Sequence, residues 1–205
     1  NPTGDVEIFD PATGARTSGP AMPQPRHAAA SIVLPNGEIL VTGGQDRTRH
    51  GLSTTVIYNP GSGAWRPGPQ MGTPRFKHAI AMLDGGRVMV LGGTTDDTTL
   101  LASTEILDLT TNTFTPGPTM STPRYKFPEA VVRTTTGHLV VAGGTQVDVL
   151  APDRQSFRVI TTGAAVWRWF PAATALPDGS VLIVGGYDER IRVLADAHIV
   201  RPARE

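Results

Sequence analysis

The chain holds only two lysines, Lys77 and Lys126, against 16 arginines. Each lysine lies two residues after an arginine, in the runs Arg75-Phe76-Lys77-His78 and Arg124-Tyr125-Lys126-Phe127. Cations interleaved with rings suit an anionic, partly planar ligand. Guanidinium forks give paired bonds to a carboxylate or phosphate, and rings add stacking and cation–π contacts. Arg26 and Arg168 stand at corresponding places, and Arg168 is followed by Trp169 and Phe170. The expected ligand-binding set is therefore Arg26, Arg75, Lys77, Arg124, Tyr125, Lys126, Arg168, Trp169 and Phe170.

A second chemistry is open in the same place. Glu129 lies five residues after Arg124, where the other repeats have Ser31, Ile80 and Ala173. A carboxylate on an inner strand must be paired or have its pKa raised. It is expected to act as an acid or base with Tyr125 or His78, or else to pair with one of the arginines. Trp167 and Trp169 flank Arg168 and are expected on opposite faces. One would pack against a blade, and the other would line the site.

These residues sit at the head of a repeated unit. Each arginine leads an apolar strand A, a glycine-containing turn, an apolar strand B and a double glycine. The pairs are Gly43-Gly44, Gly92-Gly93, Gly143-Gly144 and Gly185-Gly186. The spacing from arginine to first glycine is 17, 17, 19 and 17 residues. Near-continuous apolar runs such as Val181–Val184 suit strands buried on both faces. The turns carry residues that accept positive φ, as in Pro35-Asn36-Gly37 and Asp84-Gly85-Gly86.

Two more polar strands, C and D, complete each unit. Tyr58 with Trp65, Leu107 with Phe114, and Leu150 with Phe157 are each seven apart across a turn, as is Phe9 with Arg16. That constant spacing predicts cross-strand pairs. A fifth C–D segment is read at 190–194 with 197–200. The fold class is all-β: a propeller of four to five four-stranded blades, five preferred. Strands alternate in direction, so the arginines and the long B–C loops, Gln45–Ser53 and Thr94–Ser103, share one mouth of the channel. Repeats three and four are read as lacking that long loop.

The double glycines, Tyr58 with Trp65, and the links Met71-Gly72-Thr73-Pro74-Arg75 and Met120-Ser121-Thr122-Pro123-Arg124 resemble kelch repeats. Repeat four departs in its link, Ala165-Val166-Trp167-Arg168-Trp169. The chain is thus similar to the kelch superfamily of β-propellers, which includes galactose oxidase-like enzymes. The resemblance implies one propeller domain over 1–205, either whole or part of a longer propeller. It also implies that the repeat-leading arginines can brace loops through backbone carbonyls. Some kelch adaptors bind acidic peptides with basic residues near the blade starts, which points to Lys77 and Lys126. Duplication of one ancestral repeat would also put them at equivalent positions.

Composition narrows the function classes. With 18 basic and 18 acidic residues there is no net charge, which argues against a broad nucleic-acid footprint. There is no cysteine, which excludes disulfides, thiolate metal sites and a copper site built on a cysteine–tyrosine crosslink. His27 with His78, and Asp96 with Asp97, are too sparse to specify a metal. No metal, cofactor or membrane span is expected. The chain starts at Asn1 without an initiator Met, and is expected to be a processed form or a piece of a longer protein. The expected partner is an anionic small molecule or an acidic peptide. A cofactor-independent lyase, isomerase or cyclase using Glu129 is the alternative, and a structural module of a larger surface protein is the third. The sequence leaves the compartment and the oligomeric state open.

Overall fold

The computed structural model describes residues 2–152, 155–160 and 167–202. It is all-β, with strands grouped into five antiparallel sheets. Blade 1 holds β3 (Ala30–Val33), β4 (Ile39–Thr42), β5 (Thr55–Asn59) and β6 (Ala64–Pro67). Blade 2 holds β7 (Ala79–Leu83), β8 (Arg87–Leu91), β9 (Thr104–Asp108) and β10 (Thr113–Pro116). Blade 3 holds β11 (Val131–Arg133), β12 (Leu139–Val141), β13 (Val147–Leu150) and β14 (Arg158–Ile160). Blade 4 has three strands, β15 (Ala172–Ala175), β16 (Val181–Val184) and β17 (Ala197–Val200). A two-stranded hairpin, β1 (Glu7–Phe9) with β2 (Arg16–Ser18), precedes them. Each sheet runs in chain order, and the inner strands β3, β7, β11 and β15 lie side by side. This is a β-propeller architecture of about five blades.

The seven-residue spacings are cross-strand pairs, as expected, at Tyr58 with Trp65, Leu107 with Phe114 and Phe9 with Arg16. The Tyr58 and Trp65 rings lie 4.9 Å apart. Two apolar layers join the blades. Leu34, Leu40 and Ile57 of blade 1 meet Val88 and Leu107 of blade 2. Met89 and Leu91 of blade 2 share a second cluster with Val140, Val149, Val181 and Ile183 of blades 3 and 4. Burial of this apolar area between sheets is what makes short strands stable.

Three local readings are corrected. Glu129 is not in a strand: Pro128–Ala130 form a 3-10 turn before β11. Pro128 has no N–H to give a ladder, and its fixed φ fits the first position of a helical turn. That turn absorbs the two extra residues in the 19-residue spacing of repeat three. Residues 190–194 are not a strand of a fifth blade. They belong to a long loop between β16 and β17, closed by bridges from Tyr187 to Trp169 and Val193. Repeat four therefore has a B–C loop, and β17 is its C strand. Ala165 and Val166 of its link lie outside the described residues.

Candidate functional site

Four residues encircle the start of the inner strands: Ala28, Lys77, Lys126 and Phe170. Each has a left-handed backbone, with φ of 52°, 54°, 58° and 52°. Such geometry costs a non-glycine residue about 1 kcal/mol or more unless the surroundings hold it. Here a chain of backbone bonds does so. Lys77 N–H donates to Ala28 C=O at 2.8 Å, Lys126 N–H to Lys77 C=O at 2.9 Å, and Phe170 N–H to Lys126 C=O at 2.9 Å. The side chains of one such arc line a cavity of about 530 Å³, together with Ser31, His78 and Glu129.

The lysines stand between rings. Lys77 Nζ is 5.2 Å from the Phe76 centroid and 5.8 Å from that of Tyr125. Lys126 Nζ is 5.1 Å from Tyr125 and 5.8 Å from Phe170. Lys77 pairs with Asp97 of the B–C loop. Lys126 has no carboxylate partner among the described residues. The loop itself is held by Asp96, which accepts the Thr98 and Thr99 N–H groups at 2.9 and 2.6 Å. Those bonds push the Asp96 carboxyl well below the usual range. Neither aspartate is thus left idle in the way a cation site needs. Among the described residues no group of three His, Cys, Asp or Glu is arranged for a metal ion.

The four arginines are placed behind the mouth rather than on it. Arg26, Arg75, Arg124 and Arg168 are 5%, 0%, 1% and 7% exposed. Each donates to the carbonyl of the first glycine of its own blade. Arg26, Arg75 and Arg168 reach Gly43, Gly92 and Gly185 at 2.7, 2.7 and 2.8 Å, and Arg124 Nε reaches Gly143 at 2.7 Å. Three also hold a carboxylate: Arg75 to Glu105 at 2.9 Å, Arg124 to Asp148, and Arg168 to Asp196. Glu105 also accepts the Gly72 and Thr73 N–H groups, and Asp148 that of Ser121, so the inter-blade links are tied to the same acids. Burial lowers the pKa of Arg26, Arg75 and Arg124, yet a guanidinium stays charged far above neutral pH. The guanidiniums serve as braces.

The second glycine of each pair explains why two are needed. Gly44, Gly93 and Gly144 N–H donate to the C=O of Arg75, Arg124 and Arg168 in the next blade, at 2.9, 2.7 and 3.0 Å. Strand ends therefore approach the neighbouring arginine backbone closely. A Cβ on Gly92, whose φ is +58°, would lie 2.5 Å from Arg124 O.

His78 is buried as a wedge between blades. Its Nε2 lies 2.8 Å from Thr42 Oγ1 of blade 1, whose hydroxyl also reaches Ala30 C=O at 3.4 Å. Nδ1 has no partner among the described residues. Burial, with the Arg75 charge as a smaller cause, pushes its pKa down to about 3. Held neutral by burial, His78 is a weaker base than an ordinary histidine. Glu129 is exposed and lines the cavity, and no ion pair ties it to an arginine among the described residues.

Trp167 and Trp169 are not on opposite faces. Their rings pack at 6.3 Å, because alternate residues of an extended segment share a face. Trp169 also meets Tyr125 at 6.1 Å and Tyr187 at 5.5 Å, so it belongs to an aromatic wall behind the mouth. Tyr187 was not singled out from the sequence. Its signal is its place directly after Gly185-Gly186, which bridges it to Trp169.

A family model described as the Kelch motif matches residues 26–72 and 81–121, across blade 1 and most of blade 2. No characterised protein matches the chain. Kelch repeats build propellers often used to bind proteins or other ligands. No helix is long and apolar enough to cross a membrane among the described residues.

Proposed function

Taking the chain as a kelch-repeat propeller, we propose that it binds an anion at this mouth: a small carboxylate or the acidic side chains of a peptide. One observation carries the proposal. The only two lysines occupy adjacent blades, joined backbone to backbone at 2.9 Å, and both line the same cavity. Lys126 supplies the cation, with no carboxylate partner among the described residues. Lys77 is released to a ligand carboxylate when that group replaces Asp97. Tyr125 and Phe170 flank the ammonium groups and favour a ligand with a flat face. Arg26, Arg75, Arg124, Arg168 and Trp169 contribute by holding the ring of strands in register.

The test is a thermal-shift screen of the chain against carboxylates, nucleotides, sugars and acidic peptides, run at low and high salt. A salt-sensitive rise in midpoint for one anionic class is the expected result. A shift for neutral sugars alone, or none for any anion, would overturn the proposal.

A further inference from the structure

The N-terminal hairpin β1–β2 reproduces the outer half of a blade bond for bond. Gly19 N–H donates to Val6 C=O at 2.8 Å, as Gly68 does to Thr55 and Gly117 to Thr104 at 3.0 Å. Met22 N–H donates to Gly4 C=O at 2.7 Å, as Met71 does to Ser53 and Met120 to Ala102 at 2.9 Å. Thus β1 and β2 are a C and a D strand. In blades 1, 2 and 3 every C strand pairs with an inner B strand. Among the described residues β1 pairs only with β2.

The surfaces such an inner pair would cover are bare. Phe9 is 55% exposed, whereas its counterparts Tyr58 and Leu107 are 9% and 1% exposed against their B strands. Val33 of β3 is 63% exposed, whereas its counterpart Met82 packs on the preceding blade. The backbone stitch stops at the same edge. Lys77 and Lys126 donate their N–H to the blade before them, and the carbonyls of Arg75 and Arg124 accept from it. Ala28 N–H and Arg26 C=O stand in those positions on blade 1, and neither has a partner among the described residues.

We infer that the edge formed by β1 and β3 is a docking surface for one more kelch-type inner hairpin: an A and a B strand ending in two glycines. Its B strand pairs with β1. Its positive-φ residue accepts the Ala28 N–H, and its second glycine donates to Arg26 C=O. Its apolar face covers Phe9 and Val33. The occupant is specified by chemistry already seen three times between successive blades, and it is independent of any ligand at the mouth.

The absence of cysteine allows a direct test. Residues 72–101 carry the inner hairpin of blade 2 and run into Ala102, the counterpart of Gly4. They are fused directly ahead of Gly4 in a Val33→Cys chain. The control carries the same insert with Ile80, Val88 and Val90 replaced by Ser within the insert only. Maleimide labelling of the thiol is expected to slow about tenfold or more in the fusion, with no slowing in the control. Amide exchange at Ala28 should slow in parallel. A fusion that labels as fast as the unfused chain, one that fails to fold, or equal protection by the control insert would each overturn the inference.

Discussion

Lys126 donates its backbone N–H to the carbonyl of Lys77 at 2.9 Å, and this bond fixes the two lysines on neighbouring blades of one cavity. Both residues hold left-handed φ angles, 54° and 58°, that the inter-blade bonds stabilise. The position of both lysines is thus set by the backbone of the propeller, and their side chains line the cavity.

Glu129 shares that cavity, and the two function classes differ over what it does. If the mouth binds anions, Glu129→Gln removes a repelling charge and tightens binding about two- to fivefold at low salt, an effect of about 0.5–1 kcal/mol. Calorimetric titration of the variant checks this. Unchanged binding with lost turnover of any bound compound would favour an enzyme instead.

The double glycine should be intolerant of a side chain. Gly92→Ala places a Cβ 2.5 Å from the Arg124 carbonyl at a φ of +58°. The expected loss is about 2–3 kcal/mol in urea unfolding. Gly14→Ala is the comparison: its φ is +73° but no atom lies within 4 Å, so it should cost less. Equal losses would show that strain alone decides, without the close approach.

The arginine braces should differ from one another. Arg124→Leu strands the buried Asp148 carboxylate and should cost about 3–5 kcal/mol. Arg26 holds the Gly43 and Thr54 carbonyls and, among the described residues, no acid, so Arg26→Leu should cost about 1–3 kcal/mol. Denaturant midpoints of the two variants give the comparison. A larger loss at Arg26 would contradict the role given to the acids.

These braces mark where sequence and structure part. The repeat period, the double glycines and the seven-residue pairs made the blades legible, because strand pairing is a local pattern. The arginines read both as ligand residues and as braces, because a cation at a channel mouth and a cation turned inward onto glycine carbonyls share one sequence. Only the carbonyl positions separate the two. The pattern of the neighbouring repeats places Glu129 in a strand, and the two-residue excess in repeat three is the available sign of a turn. Phe76 and Phe127 are buried, whereas Phe170 is half exposed at the end of the arc. Their side-by-side runs of aromatics carry no mark of that difference.

His78 gives the fold an acid-side sensitivity. Its pKa is about 3 when folded, against an ordinary value of 6.5. Between those values the unfolded chain binds a proton that the folded chain does not. Stability is therefore full above about pH 6.5 and is lost as pH falls toward 3, by up to about 1.4 kcal/mol per pH unit. His78→Gln should flatten the fall in unfolding midpoint between pH 7 and 4.5. An unchanged slope would assign the acid sensitivity to other groups.

The most direct measurement is an equilibrium titration of an acidic peptide, such as a hexaglutamate, into the parent chain and into Lys77→Ala/Lys126→Ala at low salt. The expected result is salt-sensitive binding to the parent and a loss of about tenfold or more in the double variant, with its unfolding midpoint nearly kept because both side chains reach the cavity. Equal affinity in the two proteins, or no binding to the parent by the peptide or by any carboxylate in the screen, would contradict an anion-binding mouth.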